Sequence, residues 1–133
     1  MIKPTAKRIA FGTYDTGPVT VMNSTNMACN AWHTPAPLDI AEVRAGSNVT
    51  FHWSRWLHSH KGPITAWLAP YSGNTSELNV NKLEFFKIAE QTTDKNGTWW
   101  NDQFMDRDNN SWTVNIPADI KPGNYILRHE VCQ

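Results

Sequence analysis

Polar and apolar residues alternate most clearly at positions 48–54, NVTFHWS, where Val49, Phe51 and Trp53 fall on one side and Thr50, His52 and Ser54 on the other. Period two is the signature of a strand with one buried face. The apolar run at 64–69, ITAWLA, predicts a second strand that Pro70 should stop. Between the two, residues 55–63 end in Gly62-Pro63, which breaks a ladder, and the residues before it, His58 to Lys61, are polar, so they read as a loop. Residues 83–88, LEFFKI, are apolar but too short for periodicity to separate a strand from one helical turn. A turn at 95–97 precedes Trp99-Trp100, and residues 101–110 are polar. From 111 to 116 alternation returns, with Trp112, Val114 and Ile116 opposite Thr113 and Asn115, and 125–131, YILRHEV, predicts a final strand. Upstream, 18–22 (PVTVM) and 40–43 read as short extended segments around a turn-rich, proline-punctuated stretch.

No segment has the apolar spacing of a long amphipathic helix, and no repeat or linker divides the chain. The expected architecture is therefore an all-β, antiparallel β-sandwich with long loops. At 133 residues it is most simply one domain.

Composition narrows the partners. Twelve Lys and Arg balance twelve Asp and Glu, so no basic stripe argues for nucleic acid. No run approaches the roughly 18 apolar residues that would span a membrane. Seven Trp residues suit both a core and contact with flat sugar rings. N-x-S/T sequons at Asn23, Asn48, Asn74, Asn96 and Asn109 suit an extracellular chain, although no secretory leader is evident in the first residues. Cys29 and Cys132 allow one disulfide or two free buried thiols.

Histidine carries most of the chemical content. His58 and His60 lie two apart in the 55–63 loop, as metal ligands or as ordinary solvated histidines, and His52 falls on the polar side of its strand. His129 shares a strand face with Tyr125, Leu127 and Val131, where an imidazole either satisfies itself in the core or lies beside a site. Gly-rich phosphate loops, GxSxG, CxxC and HExxH are absent. Asp39, Asp102, Asp106 and Asp108 could pair as glycosidase carboxylates or stand as solvated loop acids.

The segments PVTVMNSTNMACN, AGSNVTFHW, SHKGPITAWLAP, FFKI and IPADIKPGNYILRHE occur in this order, and together they resemble the fungal lytic polysaccharide monooxygenases of auxiliary activity family 9, formerly glycoside hydrolase family 61. HKGP and GNYILRHE are the most specific of these. The resemblance implies a secreted, monomeric copper enzyme on an immunoglobulin- or fibronectin-like sandwich. It implies oxidation of cellulose or a related β-1,4-glucan at C1 or C4, with dioxygen or hydrogen peroxide and an external electron donor. His60 matches the second imidazole of the family's copper brace, His129 the outer histidine facing the oxygen side, and Cys29 the first cysteine of a family disulfide. Cys132 falls too early to be its usual partner, so a Cys29–Cys132 bridge would be a new pairing. The family's chains begin with a histidine, whereas Met1 begins this one, and the region of the axial tyrosine is not matched. The resemblance therefore implies a divergent segment at 1–17 and a partial sandwich at 18–133, incomplete at both ends and inactive by itself. A non-catalytic, polysaccharide-binding sandwich is the alternative.

Overall fold

The computed structural model describes residues 18–29, 40–53, 58–103 and 110–132. The expected segment at 1–17 lies outside them. The chain divides into two compact units, one of residues 1–42 and 71–84, the other of residues 43–70 and 85–133.

The described part of the first unit is built of short 3-10 turns, Thr25–Met27, Thr75–Glu77 and Val80–Lys82. Each begins on a residue whose side-chain oxygen accepts the second backbone N–H of the turn: Ser24, Asn74 and Asn79. Capping of this kind satisfies donors that so short a turn cannot satisfy itself. Residues 18–22 and 40–43, expected as extended segments, form no strand. Val21, Met22, Ile40 and Val43 are all exposed, so no packing rewards pairing there.

The second unit holds the sheets. Strand β1 is Asn48–His52, β2 Ile64–Tyr71, β3 Phe86–Gln91, β4 Ser111–Asn115 and β5 Asn124–Val131; the short helix α1 is Trp100–Gln103. Strands β1 and β4 pair antiparallel from Asn48↔Asn115 to His52↔Ser111. The other sheet has the order β3-β2-β5. β2 and β3 run antiparallel, with a bulge between Ala66 and Trp67. At the far edge the Cys132 N–H donates to the Pro63 carbonyl, which sets the end of β5 beside the start of β2.

The expected alternation is present. Val49 and Phe51 turn inward on β1 while Thr50 and His52 are exposed, and the Thr50 and Thr113 hydroxyls bond across the outer face at 2.8 Å. Trp112, Val114 and Ile116 are buried. β2 is central, so Ile64, Thr65, Ala66, Leu68 and Ala69 are buried on both of its faces. Ile64 and Ala66 pack with Trp112 and Val114, and Val49, Phe51, Trp53, Ile88 and Val131 close around them. A polar contact ties the two layers, Trp112 Nε1 donating to Gln91 Oε1 at 3.1 Å. At the entry to β5 the Tyr125 hydroxyl donates to the Lys121 carbonyl at 2.7 Å, a corner typical of sandwich folds.

Pro70 does not stop β2, which continues to Tyr71. The register with β3 ends at Leu68↔Phe86, so the missing proline N–H costs no bond on that side. The ambiguous 83–88 run resolves into a 3-10 turn just before it and a strand that starts at Phe86.

Cys29 and Cys132, the pair the sequence offers for one disulfide, are not bridged. A bridge needs Cβ atoms at about 3.8 Å. The Cys132 backbone is instead held at the edge of β2, its N–H donating to the Pro63 carbonyl. Cys132 is also exposed, so the reading as two buried thiols fails for it.

Candidate functional site

The loop between β1 and β2 carries His58, Ser59, His60 and Lys61, and it is gripped by α1. Asn101 is 0% exposed, and its Nδ2 donates to the His60 carbonyl at 2.6 Å. The Gly62 N–H donates to the same side chain's Oδ1 at 3.4 Å. One buried carboxamide thus spans both ends of the His60–Gly62 turn, where a neutral amide supplies one donor and one acceptor without burying charge. Its neighbour Asp102 binds the loop from the exposed side, with Oδ1 2.9 Å from His58 Nδ1 and Oδ2 3.6 Å from Lys61 Nζ. The hydrogen bond from His58, together with the nearby Lys61 charge, holds the Asp102 carboxyl below the ordinary carboxylate range against the opposing effect of burial.

α1 is anchored in turn. The Trp100 N–H donates to the Thr92 carbonyl at 2.8 Å, and Thr93 bridges Trp99 in antiparallel fashion. The intervening turn forms because Asp94 Oδ1 accepts from the N–H groups of Asn96 and Thr98, and Gly97 takes φ 80°.

His60 is half-buried, and its Nδ1 lies 3.0 Å from the Ser59 hydroxyl. If the ring donates there, Nε2 keeps its lone pair, the form a metal takes. His58 is the more exposed of the pair and is committed to Asp102. His52 is exposed, as its strand position predicts.

His129 sits on the inner side of β5. Its ring packs against Phe51, with centroids 4.4 Å apart, and edge-on to Trp53 at 5.1 Å. Trp53 Nε1 donates to His129 Nε2 at 3.2 Å. Burial among these rings disfavours the imidazolium and lowers the pKa to about 4, so His129 is neutral at pH 7.

The outer face of β5 carries a separate network. Arg128 Nη2 pairs with Glu130 Oε1 at 2.9 Å and its guanidinium lies 4.0 Å from the Phe85 ring centroid. Glu130 Oε2 accepts from Thr65, whose hydroxyl accepts from Trp67 Nε1.

Sequence reasoning flagged both site histidines but missed the contacts of Asn101 and Trp53, and it took Asp102 as a solvated loop acid or a possible glycosidase carboxylate. Asp102 instead braces the histidine loop, while Asp39, Asp106 and Asp108 lie outside the described residues. No local signal could have found Asn101, which sits 41 residues from the carbonyl it holds.

Copper chemistry calls for several nitrogen donors. His60 fits as one imidazole of such a set. Among the described residues no group of three or more His, Cys, Asp or Glu side chains converges on one point.

Comparison with known proteins gives a consistent result. A family model, Auxiliary Activity family 9 (formerly GH61), matches residues 2–132. AA9 family lytic polysaccharide monooxygenase C of Geotrichum candidum is 39% identical over 131 residues, which are 97% of this chain and 24% of that protein. AA9 family lytic polysaccharide monooxygenase A of Thermoascus aurantiacus is 44% identical over 110 residues, 80% of this chain and 47% of the relative. Among solved structures, the glycoside hydrolase family 61 member Cel61B of Hypocrea jecorina superposes with a TM-score of 0.69 at 34% identity, covering 78% of this chain and 46% of that one. A cellulose-active polysaccharide monooxygenase from M. thermophila gives 0.74 at 28% identity, covering 88% and 54%. This chain thus spans from about a quarter to about half of the length of these relatives. With a family model matching nearly its whole length and a β-sandwich shared with the solved members, the chain belongs to Auxiliary Activity family 9.

Proposed function

We propose that this protein is a secreted, copper-dependent lytic polysaccharide monooxygenase acting on cellulose or a related β-1,4-glucan, with oxidation at C1 or C4. The observation that carries the reading is the setting of His60. The one loop histidine at the position of a copper-binding imidazole has its backbone clamped by a fully buried asparagine. Burying a polar side chain to fix a solvent-side loop serves little purpose unless the loop must hold its shape.

His60 would hold the metal through a ring nitrogen. Bound copper, reduced by an external donor, supplies activation of dioxygen or hydrogen peroxide. His129, neutral at pH 7, offers a ring N–H that can donate a hydrogen bond to a reduced oxygen species. Phe51 covers one face of that ring and Trp53 meets its edge. Secretion accords with the sequons: Asn23, Asn74 and Asn96 are exposed in turns and are proposed glycan sites. Asn48 is exposed too, and its side-chain oxygen accepts from Asn115 Nδ2 at 3.0 Å, a bond that does not involve its own Nδ2, the atom a glycan takes. Asn109 is a further sequon candidate outside the described residues.

A second reading, a non-catalytic polysaccharide-binding sandwich, is favoured by the lack of a three-ligand cluster among the described residues. One experiment separates the two. The protein is incubated with swollen cellulose, copper and ascorbate, and soluble products are read by mass spectrometry. Aldonic acids or C4-oxidised sugars that vanish in His60→Ala support the monooxygenase. Retention on cellulose that survives both chelator and His60→Ala, with no oxidised product, overturns it in favour of the binding module.

A further inference from the structure

The polar contact of His129 determines more than where the ring lies. Trp53 Nε1 is 3.2 Å from His129 Nε2. An indole nitrogen is a donor only, so the imidazole nitrogen it faces must present a lone pair. In a neutral ring the one proton then sits on the other nitrogen. We propose that Trp53 is a positioning residue that locks His129 in its Nδ1–H tautomer and so selects Nδ1–H as the atom this imidazole presents to its site. The consequence for catalysis rests on the proposed function; the tautomer itself rests on the geometry alone.

Independent features agree. The ring is confined on one face by Phe51, at 4.4 Å with 39° between the planes, and on an edge by Trp53 at 68°. A half-turn of the ring about χ2 would keep these ring contacts but put Cε1 where Nε2 now accepts, so the indole bond itself selects which edge faces Trp53. Trp53 is fixed in its turn, because its backbone N–H donates to the Asn110 carbonyl at 2.9 Å just beyond the β1–β4 ladder. Among the described residues His129 Nδ1 has no hydrogen-bond partner, and Nε2 is the ring nitrogen that is engaged. Burial keeps the ring neutral at pH 7, which leaves one proton to be placed. Free histidine favours the opposite, Nε2–H tautomer, so the Nδ1–H form is one the protein must impose. A ring held this way gives a hydrogen bond in one direction only, which is what a group meeting a reduced oxygen species needs.

The test uses protein labelled with 15N at histidine and long-range 1H–15N correlation spectra at neutral pH, with His129 assigned by its loss in His129→Gln. Wild-type protein should show an Nδ1–H ring at His129. Trp53→Phe keeps an aromatic body and removes the N–H, and its His129 should move to Nε2–H or a mixture, with the circular dichroism unchanged. An Nε2–H ring in the wild type overturns the inference, whatever Trp53→Phe does. An Nδ1–H ring that persists in folded Trp53→Phe overturns the role of Trp53. Product assays on cellulose are run beside the spectra so that the two readings fail separately. A tautomer that shifts in Trp53→Phe supports the inference even if neither protein releases oxidised sugars, an outcome that counts against the proposed function alone.

Discussion

Replacing Asn101 by leucine removes the clamp on the His60 loop while nearly preserving side-chain volume. Two backbone groups lose their partner, the His60 carbonyl at 2.6 Å and the Gly62 N–H at 3.4 Å, and Gly62 is itself buried. A buried polar group left unsatisfied costs about 1–3 kcal/mol. The first bond is short and carries most of the loss, whereas the second is near the limit of a hydrogen bond and counts for less. Leucine recovers roughly 1 kcal/mol by putting apolar surface where the amide was. The expected net loss is about 2–3 kcal/mol, a large fraction of the 5–15 kcal/mol typical of a domain.

The measurement is a urea unfolding curve with unchanged slope and a lowered midpoint, together with faster hydrogen exchange at the Gly62 amide than at amides of the β1–β4 ladder. Asn101→Asp separates the two halves of the clamp. It keeps the shape and the acceptor for Gly62 but cannot donate to the His60 carbonyl unless protonated. A loss below about 0.5 kcal/mol in Asn101→Leu, with Gly62 exchange unchanged, refutes the claim that this asparagine holds the loop.

Stability should fall on acidification through His129. Its folded pKa of about 4 lies below the usual 6.5, so between these values the unfolded chain binds a proton that the folded chain refuses. The contribution is fully present above pH 6.5 and is lost by about pH 4, on the order of 3 kcal/mol, and urea midpoints at pH 7 and pH 4.5 read it; a slope that persists in His129→Phe rules it out. Gly46→Ala should cost about 1–2 kcal/mol in thermal unfolding, because Gly46 has φ 81° and a Cβ there would meet Ala118 Cβ at 3.4 Å. Glu130→Gln leaves Arg128 without its carboxylate in a half-buried site and should lower the melting temperature by a few degrees, with Arg128→Met less harmful than Glu130→Gln because it leaves no buried cation. An equal or larger loss in Arg128→Met, read in the same melts, would show that packing of the guanidinium on Phe85 outweighs the ion pair.

The strands of the second unit were legible wherever burial is one-sided. Val49 and Phe51 against Thr50 and His52 is a pattern that only a half-buried strand makes, and the structure repeats it. Residues 18–22 and 40–43 have strand-like composition but expose Val21, Met22, Ile40 and Val43, and without a buried face β-propensity does not specify pairing. α1 is four residues long, shorter than one period of a hydrophobic face, so no pattern could announce it. The site divides in the same way. His60 and His129 carry chemistry in their own side chains and could be flagged alone. Asn101 and Trp53 matter only through what they touch, at separations of 41 and 76 residues.

Those separations also define how the two histidines are held, and the difference can be measured. His60 depends on a loop and a one-turn helix; Trp100 of that helix packs on the core cluster, but the 58–61 segment itself is exposed or half-buried, and such segments open at low free-energy cost. His129 is set in the ladder of β5 against Phe51 and Trp53, within the packed layer that includes Ile64 and Val131. Local opening of the 58–62 loop should therefore release His60 long before His129 moves. Hydrogen exchange in low urea tests this: the Gly62 amide should exchange with a weak urea dependence, and the backbone amide of His129 with the full dependence of global unfolding. Identical slopes at the two positions would mean that loop and sandwich open as one body, and that Asn101 ties His60 to the core as firmly as the sheet holds His129.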